Sequence, residues 1–534
     1  MKICLINPPI LHKGISFARA ATPPLGLAYI AGTLKAKGHT IQVIDAAAEI
    51  HSKHLFKDDI YLIGLSKEEI SELIDKDTDV IGFTFMFVTN WLYDRELIAY
   101  VKTQHPNAVL IAGGEHANAS SEYCLSQAPL DFIVRGEGEE TIVELLDAIR
   151  QRSDLNLVNG LVYRDSEKNV ITNKPRKRRG NINQIPWPAW EYFPLSTYFS
   201  NKISFGVYRG NTLPVNATRG CPYECTFCSN PQMWGRKYEM RTPEDFVDEL
   251  EFLKNEYGVE NFDLYDLTAI IVKSWILAMC KEIVRRNLKI TFQLPSGTRS
   301  EVIDFEVAQW LYRSGCKNIS YAPESGSVEV LKKIKKKVLI RKMLKSIKDA
   351  NDAGLNIKLN LIMGFPDDRH RDIWLTFKFL IQASWYGAYD AAPAVFSPYP
   401  GSSLFDRLTK EGKVNIYDDA YLYEIIDIYD LLPPKVYCNN ISSRSMRLYI
   451  FIFLIIFYGS NYLFRPARFF KTFYNIIRNK HESRIEHIIY NNFLKHLVVL
   501  PNLLLVNLRK NRLIRMPNLV KDSSPLVQRD QIER

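Results

Sequence analysis

The sequence predicts an α/β protein built as two successive strand–helix units with a helical region behind them. Three observations carry this. Short apolar runs alternate with helical patterns twice, across residues 1–150 and again across 211–412. A Pro- and Trp-bearing connection, 151–210, separates the two blocks. The remainder, 413–534, is helical in pattern and rich in Tyr, Phe, Ile, Lys and Asn. Alternation of this kind implies parallel sheets with covered faces, because a parallel crossover needs an intervening helix.

Composition supports folded units. The chain has 534 residues, 46% of them apolar, which suits two to four domains with their own cores. Its net charge of +10 is unevenly placed. From Lys435 onward 17 Lys and Arg face 5 Asp and Glu, a local +12 that leaves −2 for the rest. The basic balance therefore belongs to the tail. Such a tail fits anionic lipid, nucleic acid or a plain solvated helical surface. No nucleic-acid partner is expected of the rest of the chain. Eight cysteines in so long a chain, without a signal-peptide pattern, argue against a disulfide framework and for a reducing, cytoplasmic setting.

In the first block the apolar runs are Lys2–Asn7, Thr40–Asp45, Asp79–Phe85, Val109–Gly113 and Asp131–Val134. Helical spacing marks Gly26–Lys37, Trp91–Thr103 and Glu139–Arg150. Ligands of parallel sheets bind beyond the carboxyl ends of the strands. Those ends carry Thr84-Phe85-Met86, Gly113-Gly114-Glu115-His116 and Arg135-Gly136-Glu137-Gly138. Glycines there permit close backbone approach to a ligand.

The connection holds a small hairpin, Leu161–Arg164 and Asn169–Thr172, and a basic run, Lys174–Arg179, which reads as solvated loop. Trp187 and Trp190, held extended by Pro186 and Pro188, suit a domain interface more than a substrate. The second block adds strands at Leu213–Ala217, Asn261–Tyr265, Lys289–Leu294, Asn318–Ala322, Lys358–Met363 and Ala391–Phe396. A second basic run, Lys332–Lys337, reads as a solvated helix face without chemistry.

Directly after the first strand of this block stands Cys221-Pro222-Tyr223-Glu224-Cys225-Thr226-Phe227-Cys228. Three thiolates at C-x3-C-x2-C spacing can hold three irons of a cubane [4Fe–4S] cluster and leave the fourth open. A zinc site would need a fourth Cys or His nearby, and the next histidine is His370. The other five cysteines lie in apolar segments and read as core.

On this motif the chain resembles the radical S-adenosylmethionine (SAM) family, in which SAM fills the open iron. The six strand–helix units then resemble that family's partial (β/α)6 barrel, whose sites gather at strand carboxyl ends. What the resemblance implies can be followed strand by strand. Asp266, after the second strand, matches an acid that holds the SAM amino group, with an ordinary loop acid as the alternative. Arg299 resembles an arginine suited to a carboxylate. Pro323-Glu324-Ser325-Gly326-Ser327 is close to E-S-G-S, with Glu324 toward the ribose and Ser325 toward SAM's polar end. The stretch around Gly364 resembles the turn that meets adenine, with Asp367 or Asp368 in place of the usual Glu.

The first block resembles a cobalamin-binding domain, a Rossmann-like α/β fold. Thr84-x-Met86, then 26 residues, then Gly113-Gly114 follows that layout. The resemblance gives Thr84, Gly113, Gly114 and Gly136 to the corrinoid. The pattern D-x-H-x-x-G, which supplies histidine to cobalt, is absent. His12 lacks a preceding Asp to orient it, so a corrinoid without a histidine on cobalt is expected.

In the tail, Leu448–Phe464 is 17 residues without a charge, bounded by Arg447 and Arg465. A helix packed on the barrel is the first reading, an interfacial helix at the inner membrane leaflet the second, and a span the last.

The resemblance to cobalamin-binding radical SAM enzymes implies cleavage of SAM to a 5′-deoxyadenosyl radical, attack on an unactivated C–H bond and methyl transfer through cobalamin. A reductant such as flavodoxin or ferredoxin would supply the electron. The substrate would be a small molecule, with a lipid, isoprenoid or tetrapyrrole favoured by the apolar tail. The same radical chemistry used for oxidative cyclisation or carbon–carbon coupling is the alternative. A non-catalytic iron–sulfur or corrinoid-binding protein is the alternative of another class.

Overall fold

The computed structural model describes residues 1–13, 21–426, 435–478, 480–483, 486 and 489–490. Its first sheet has five parallel strands, β1 (Lys2–Asn7), β2 (Thr40–Asp45), β3 (Val80–Thr84), β4 (Val109–Gly113) and β5 (Phe132–Val134). Helices α1 (Leu25–Ala36), α2 (Trp91–Gln104) and α3 (Gly138–Gln151) connect or follow them. The hairpin β6 (Leu161–Arg164) and β7 (Val170–Thr172) joins antiparallel to β5, so the sheet order is β7-β6-β5-β4-β3-β1-β2. The hairpin expected in the connection is thus the edge of the first sheet. β5 has only three residues, and the buried Leu161, Val162 and Tyr163 cover its open side. Winding reverses between β1 and β3, which opens a crevice beyond Asn7 and Thr84.

A small antiparallel sheet of Ile10–Lys13, Lys53–Lys57 and Ile60–Ile63 was not legible in the sequence. Its strands are short and interrupted by charge. It places His12 in a strand opposite Tyr61, not in a loop.

The second sheet holds β8 (Thr212–Val215), β9 (Asn261–Leu264), β10 (Thr291–Thr298), β11 (Cys316–Glu324), β12 (Asn356–Met363) and β13 (Asp390–Val395). They pair in parallel and in chain order, with β8 and β13 as the two edges among the described residues. This is an open six-strand barrel. Its helices include α4 (Pro243–Tyr257), α5 (Lys273–Arg285), α6 (Phe305–Arg313), α7 (Ile340–Asp352) and α8 (His370–Tyr386). Local chemistry sets their ends. The Thr242 hydroxyl accepts the Asp245 N–H ahead of Pro243, and Gly258 at φ +65° stops α4. Between these ends Phe246, Val247, Leu250 and Leu253 turn inward at helical spacing.

One apolar core runs through both units. Trp190 is fully buried in it. The Trp187 carbonyl lies where a Cβ on Gly32 of α1 would stand, and the Trp187 ring meets Phe252 of α4 at 5.6 Å. The connection is therefore wedged between the sheets' helices, and truncating Trp190 to Ala would cost about 3–5 kcal/mol. Helices α9 (Ser443–Phe464) and α10 (Pro466–Arg478) follow, with α9 lying along α8.

Candidate active site

The cysteine loop leaves β8 and is pinned from several sides. Thr218–Arg219 pairs antiparallel with Glu239–Met240. Gly220 sits at φ +86° against the Lys237 carbonyl, where a Cβ has no room. The Thr226 N–H donates to the Ile334 carbonyl at 3.0 Å, and the Thr226 carbonyl accepts from Leu404 N–H at 2.9 Å. Phe227, just before the last cysteine, packs on Phe365 at 5.6 Å, and Phe365 on Phe396 at 5.3 Å. All three cysteines are free and partly buried. Burial pushes the Cys228 thiol up to about 12. A thiolate there needs a cationic partner.

The other predicted residues converge on the same strand ends. Asp266 is 1% exposed, and burial lifts its carboxyl to about 6. Both its oxygens are already engaged. They accept from Ala217 N–H at 3.2 Å, from Thr218 N–H and from the Thr218 hydroxyl at 2.5 Å. Its work in this structure is to fix the turn that leads into the cysteines, not to present a free acid. Arg299 stacks on Tyr223 of the cysteine loop at 4.1 Å. It donates to Glu301 at 2.9 Å and to the Lys337 carbonyl, while its buried Nε has no partner.

Glu324 ends β11 at φ +64°, a strained conformation for a residue with a Cβ. The Ser325 hydroxyl is 3.3 Å from that of Thr376 and accepts from Ser327 N–H at 3.1 Å. Gly364 turns at φ +83°, and its N–H and that of Phe365 donate to Asp368 at 2.9 and 3.1 Å. The two acids that sequence left open are thereby told apart. Asp368 is buried and holds the turn, whereas Asp367 pairs with Arg407 at 2.6 Å near the surface.

Two basic runs read as solvated fold inward. Lys336 forms a 2.8 Å ion pair with Glu324, their side chains 12% and 7% exposed. It lies beside Cys225, and the turn carrying it is the one held by Thr226 and Arg299. Lys335 at φ +54° makes that turn, so the run is no longer helical when it reaches Lys336. In the other run, Arg178 reaches Glu137 at 3.3 Å, Glu239 at 3.2 Å and the Trp234 carbonyl, and Arg176 reaches Glu140 at 3.3 Å. Arg219, two residues before Cys221, is 6% exposed and pairs with Glu139 at 2.7 Å and Glu137 at 3.3 Å of the first unit. Nothing in the local sequence marks Lys336 or Arg219, because their partners are 12 and about 80 residues away.

The first unit turns its strand ends toward the cysteine loop. The short helix Asn230–Trp234, directly after Cys228 and Ser229, packs on Glu115–Ala119. Burial raises the Glu115 carboxyl, and the neighbouring Ser229 works against that rise. Gly114 at φ +102° turns against the Phe85 backbone. A Cβ on Gly113 or Gly136 would meet nothing closer than 3.9 and 4.0 Å. Beside them Met86 and Phe87 are 46% and 53% exposed. Two uncrowded glycines beside exposed apolar side chains at a sheet crevice fit a flat, largely apolar cofactor such as a corrinoid. The residues around the cysteines fit their cofactors as well. Three cysteines in one loop without a fourth suit a cubane with one open iron. The orphaned Arg299 Nε suits a carboxylate such as that of SAM. A small open cleft lies at the other end of the barrel, where Asn356 and Asp390 begin β12 and β13. It lies away from all of these groups.

Comparison with known proteins agrees with this geometry. The radical SAM superfamily model matches residues 215–380, and the B12 binding domain model matches residues 16–146. An uncharacterized methyltransferase of Pyrococcus horikoshii is 30% identical over 409 residues, 76% of this chain and 83% of that protein. The anaerobic magnesium-protoporphyrin IX monomethyl ester cyclase of Rubrivivax gelatinosus is 27% identical over 425 residues, 78% of this chain and 71% of that one. The solved structure of the radical SAM methyltransferase TsrM from Kitasatospora setae, with cobalamin and a [4Fe–4S] cluster bound, superposes with a TM-score of 0.60 at 16% identity, covering 77% of this chain and 78% of that chain. Motif, fold and relatives coincide, and the chain belongs to the cobalamin-binding radical SAM enzymes, the family of methyltransferases and of the anaerobic ester cyclase.

Proposed function

We propose that this enzyme methylates an unactivated carbon of a small, largely apolar molecule. In this reading Cys221, Cys225 and Cys228 hold the [4Fe–4S] cluster, and the loops of Thr84, Gly113, Gly114 and Gly136 hold cobalamin. Bound together, cluster and SAM supply homolytic C–H activation and cobalamin supplies the methyl group. The observation that carries the reading is the packing of the helix after Cys228 on the loop after Gly114, which sets two cofactor edges face to face.

The chain's own residues then position and insulate. Asp266 fixes the turn before the cysteines through Ala217 and Thr218. Arg299 has its Nε free for a carboxylate. Glu324, steadied by Lys336, has lone pairs left for ribose hydroxyls. Asp368 keeps Gly364 turned so that backbone can meet a flat base. Phe227, Phe365 and Phe396 form an apolar wall behind the last cysteine, which keeps water out. The relative that acts on a protoporphyrin ester supports a flat, apolar substrate and keeps oxidative cyclisation as the second reading. None of the eight cysteines is joined in a disulfide, and the proposed chemistry calls for a one-electron donor such as flavodoxin or ferredoxin; both support a cytoplasmic setting.

Anaerobic reconstitution with iron, sulfide, cobalamin, SAM and a reductant, followed by mass spectrometry of the nucleosides, tests this. 5′-Deoxyadenosine together with S-adenosylhomocysteine is the expected result. 5′-Deoxyadenosine alone moves the assignment to cyclisation or coupling, and neither product overturns it.

A further inference from the structure

Helices α8, α9 and α10 leave a broad apolar face uncovered among the described residues. α8 and α9 run side by side in the same direction, since Trp374 meets Tyr449 at 6.3 Å and Trp385 meets Phe464 at 5.1 Å. One side of α9 is buried on the barrel through Met446, Tyr449, Phe453 and Phe457. The opposite side turns outward. Trp374, Trp385, Phe451, Ile455, Leu463 and Phe470 are each 54–75% exposed, drawn from all three helices. Single exposed apolar side chains are ordinary, but a continuous array of this kind marks an interaction surface.

Charge identifies the occupant. Between Lys435 and His481 there is no Asp or Glu. The acid of α8, Asp372, is buried against Ser327 at 2.6 Å. The exposed charges on the three helices are therefore all cations, Lys378, Arg444, Arg447, Lys471 and Arg478 among them, and one acid, Glu482, lies just beyond α10, paired to Lys471 at 2.6 Å. A second copy of the chain would bring two such cationic edges together. An anionic bilayer surface complements them.

Length alone does not exclude a span, because α9 runs 22 residues, about 33 Å at ~1.5 Å per residue, rather than the 17 charge-free ones. Packing does: the buried side of α9 is held along α8, with Ser384 bonded to Phe457 and Asn461 to Ala388.

We propose that the α8–α9–α10 face docks the enzyme in the plane of an anionic phospholipid surface. The face begins beside the candidate SAM turn. The Met446 Cε stands 2.8 Å from where a Cβ on Gly364 would lie, and the Tyr449 hydroxyl bonds His370 at 2.6 Å.

Flotation of the full chain with phosphatidylcholine vesicles, with and without phosphatidylglycerol, tests the proposal. Binding only to the mixed vesicles, weakened several-fold by high salt, is expected. A Phe451→Ser, Ile455→Ser, Phe470→Ser variant should lose binding while keeping its circular dichroism. Arg444→Glu with Arg447→Glu should lose the preference for phosphatidylglycerol. Failure of the full chain to float with either vesicle overturns the proposal. So does a lipid-free dimer that the Ser variant dissolves, and so does retention on vesicles through carbonate extraction.

Discussion

The two strand-end edges that face each other are made of different things. The edge of the first sheet is sparse: Gly113 and Gly136 with nothing crowding them, and Met86 and Phe87 exposed beside them. The edge of the barrel is filled with chemistry: three thiols, the orphaned Arg299 Nε, the Glu324–Lys336 pair and two buried aspartates tied to backbone. A cofactor that brings its own reactive centre asks mainly for room, whereas a cluster and its co-substrate ask for ligands and countercharges. Damage should therefore act differently on the two edges.

The largest separation comes from Cys225→Ala. Iron binding and SAM cleavage should both be lost, since no spare thiolate exists, while corrinoid binding stays intact; iron and sulfide analysis with visible spectra reads both. Gly113→Leu should do the reverse. The backbone there leaves room for a Cβ, so the fold survives, yet the side chain fills the uncrowded space beside it. Corrinoid affinity should fall by about 1–3 kcal/mol, roughly 5- to 150-fold, with cluster content unchanged. Equal loss of both cofactors in either variant would break the comparison.

Lys336→Met sharpens it further. It strands Glu324 without its countercharge, which should cost about 3–5 kcal/mol of stability, and Lys336→Arg should recover part of that in thermal melts. A further test concerns pH. Burial raises Asp368 from 3.8 to about 7, so its proton is held more tightly folded than unfolded. Its contribution is then fullest below about pH 4 and is lost as pH rises to about 7. The melting temperature of Asp368→Asn, relative to the parent, should climb across that window and level off above it. A difference that does not change with pH would show that Asp368 is not buried as described.

The same contrast explains what could be read from sequence. The proposed cluster residues Cys221, Cys225 and Cys228 stand out in sequence because they lie within one loop. Gly113 and Gly114 were legible because a sheet crevice needs glycine at a strand end. The alternation of strands and helices gave both sheets to within a few residues. Lys336 was hidden in a run of lysines, and only a left-handed turn at Lys335 decides which lysine points inward. The run Lys174–Arg179 misled for the same reason, because its partners Glu137, Glu140 and Glu239 lie far from it in sequence. Asp266 was found, but its engagement with Ala217 and Thr218 depends on how two neighbouring strands end together.

Arg219 carries a consequence for how such chains can be cut and recombined. It stands two residues from Cys221, yet the carboxylates that hold it, Glu137 and Glu139, belong to the other unit. The barrel is not a cassette that could be excised or grafted onto a different corrinoid carrier. A transplant would have to carry the acidic pair with it, or leave a guanidinium stranded beside the cysteine loop. Shuffling in this family should accordingly keep the stretch around residues 136–139 and the residues just before Cys221 together as one inherited block.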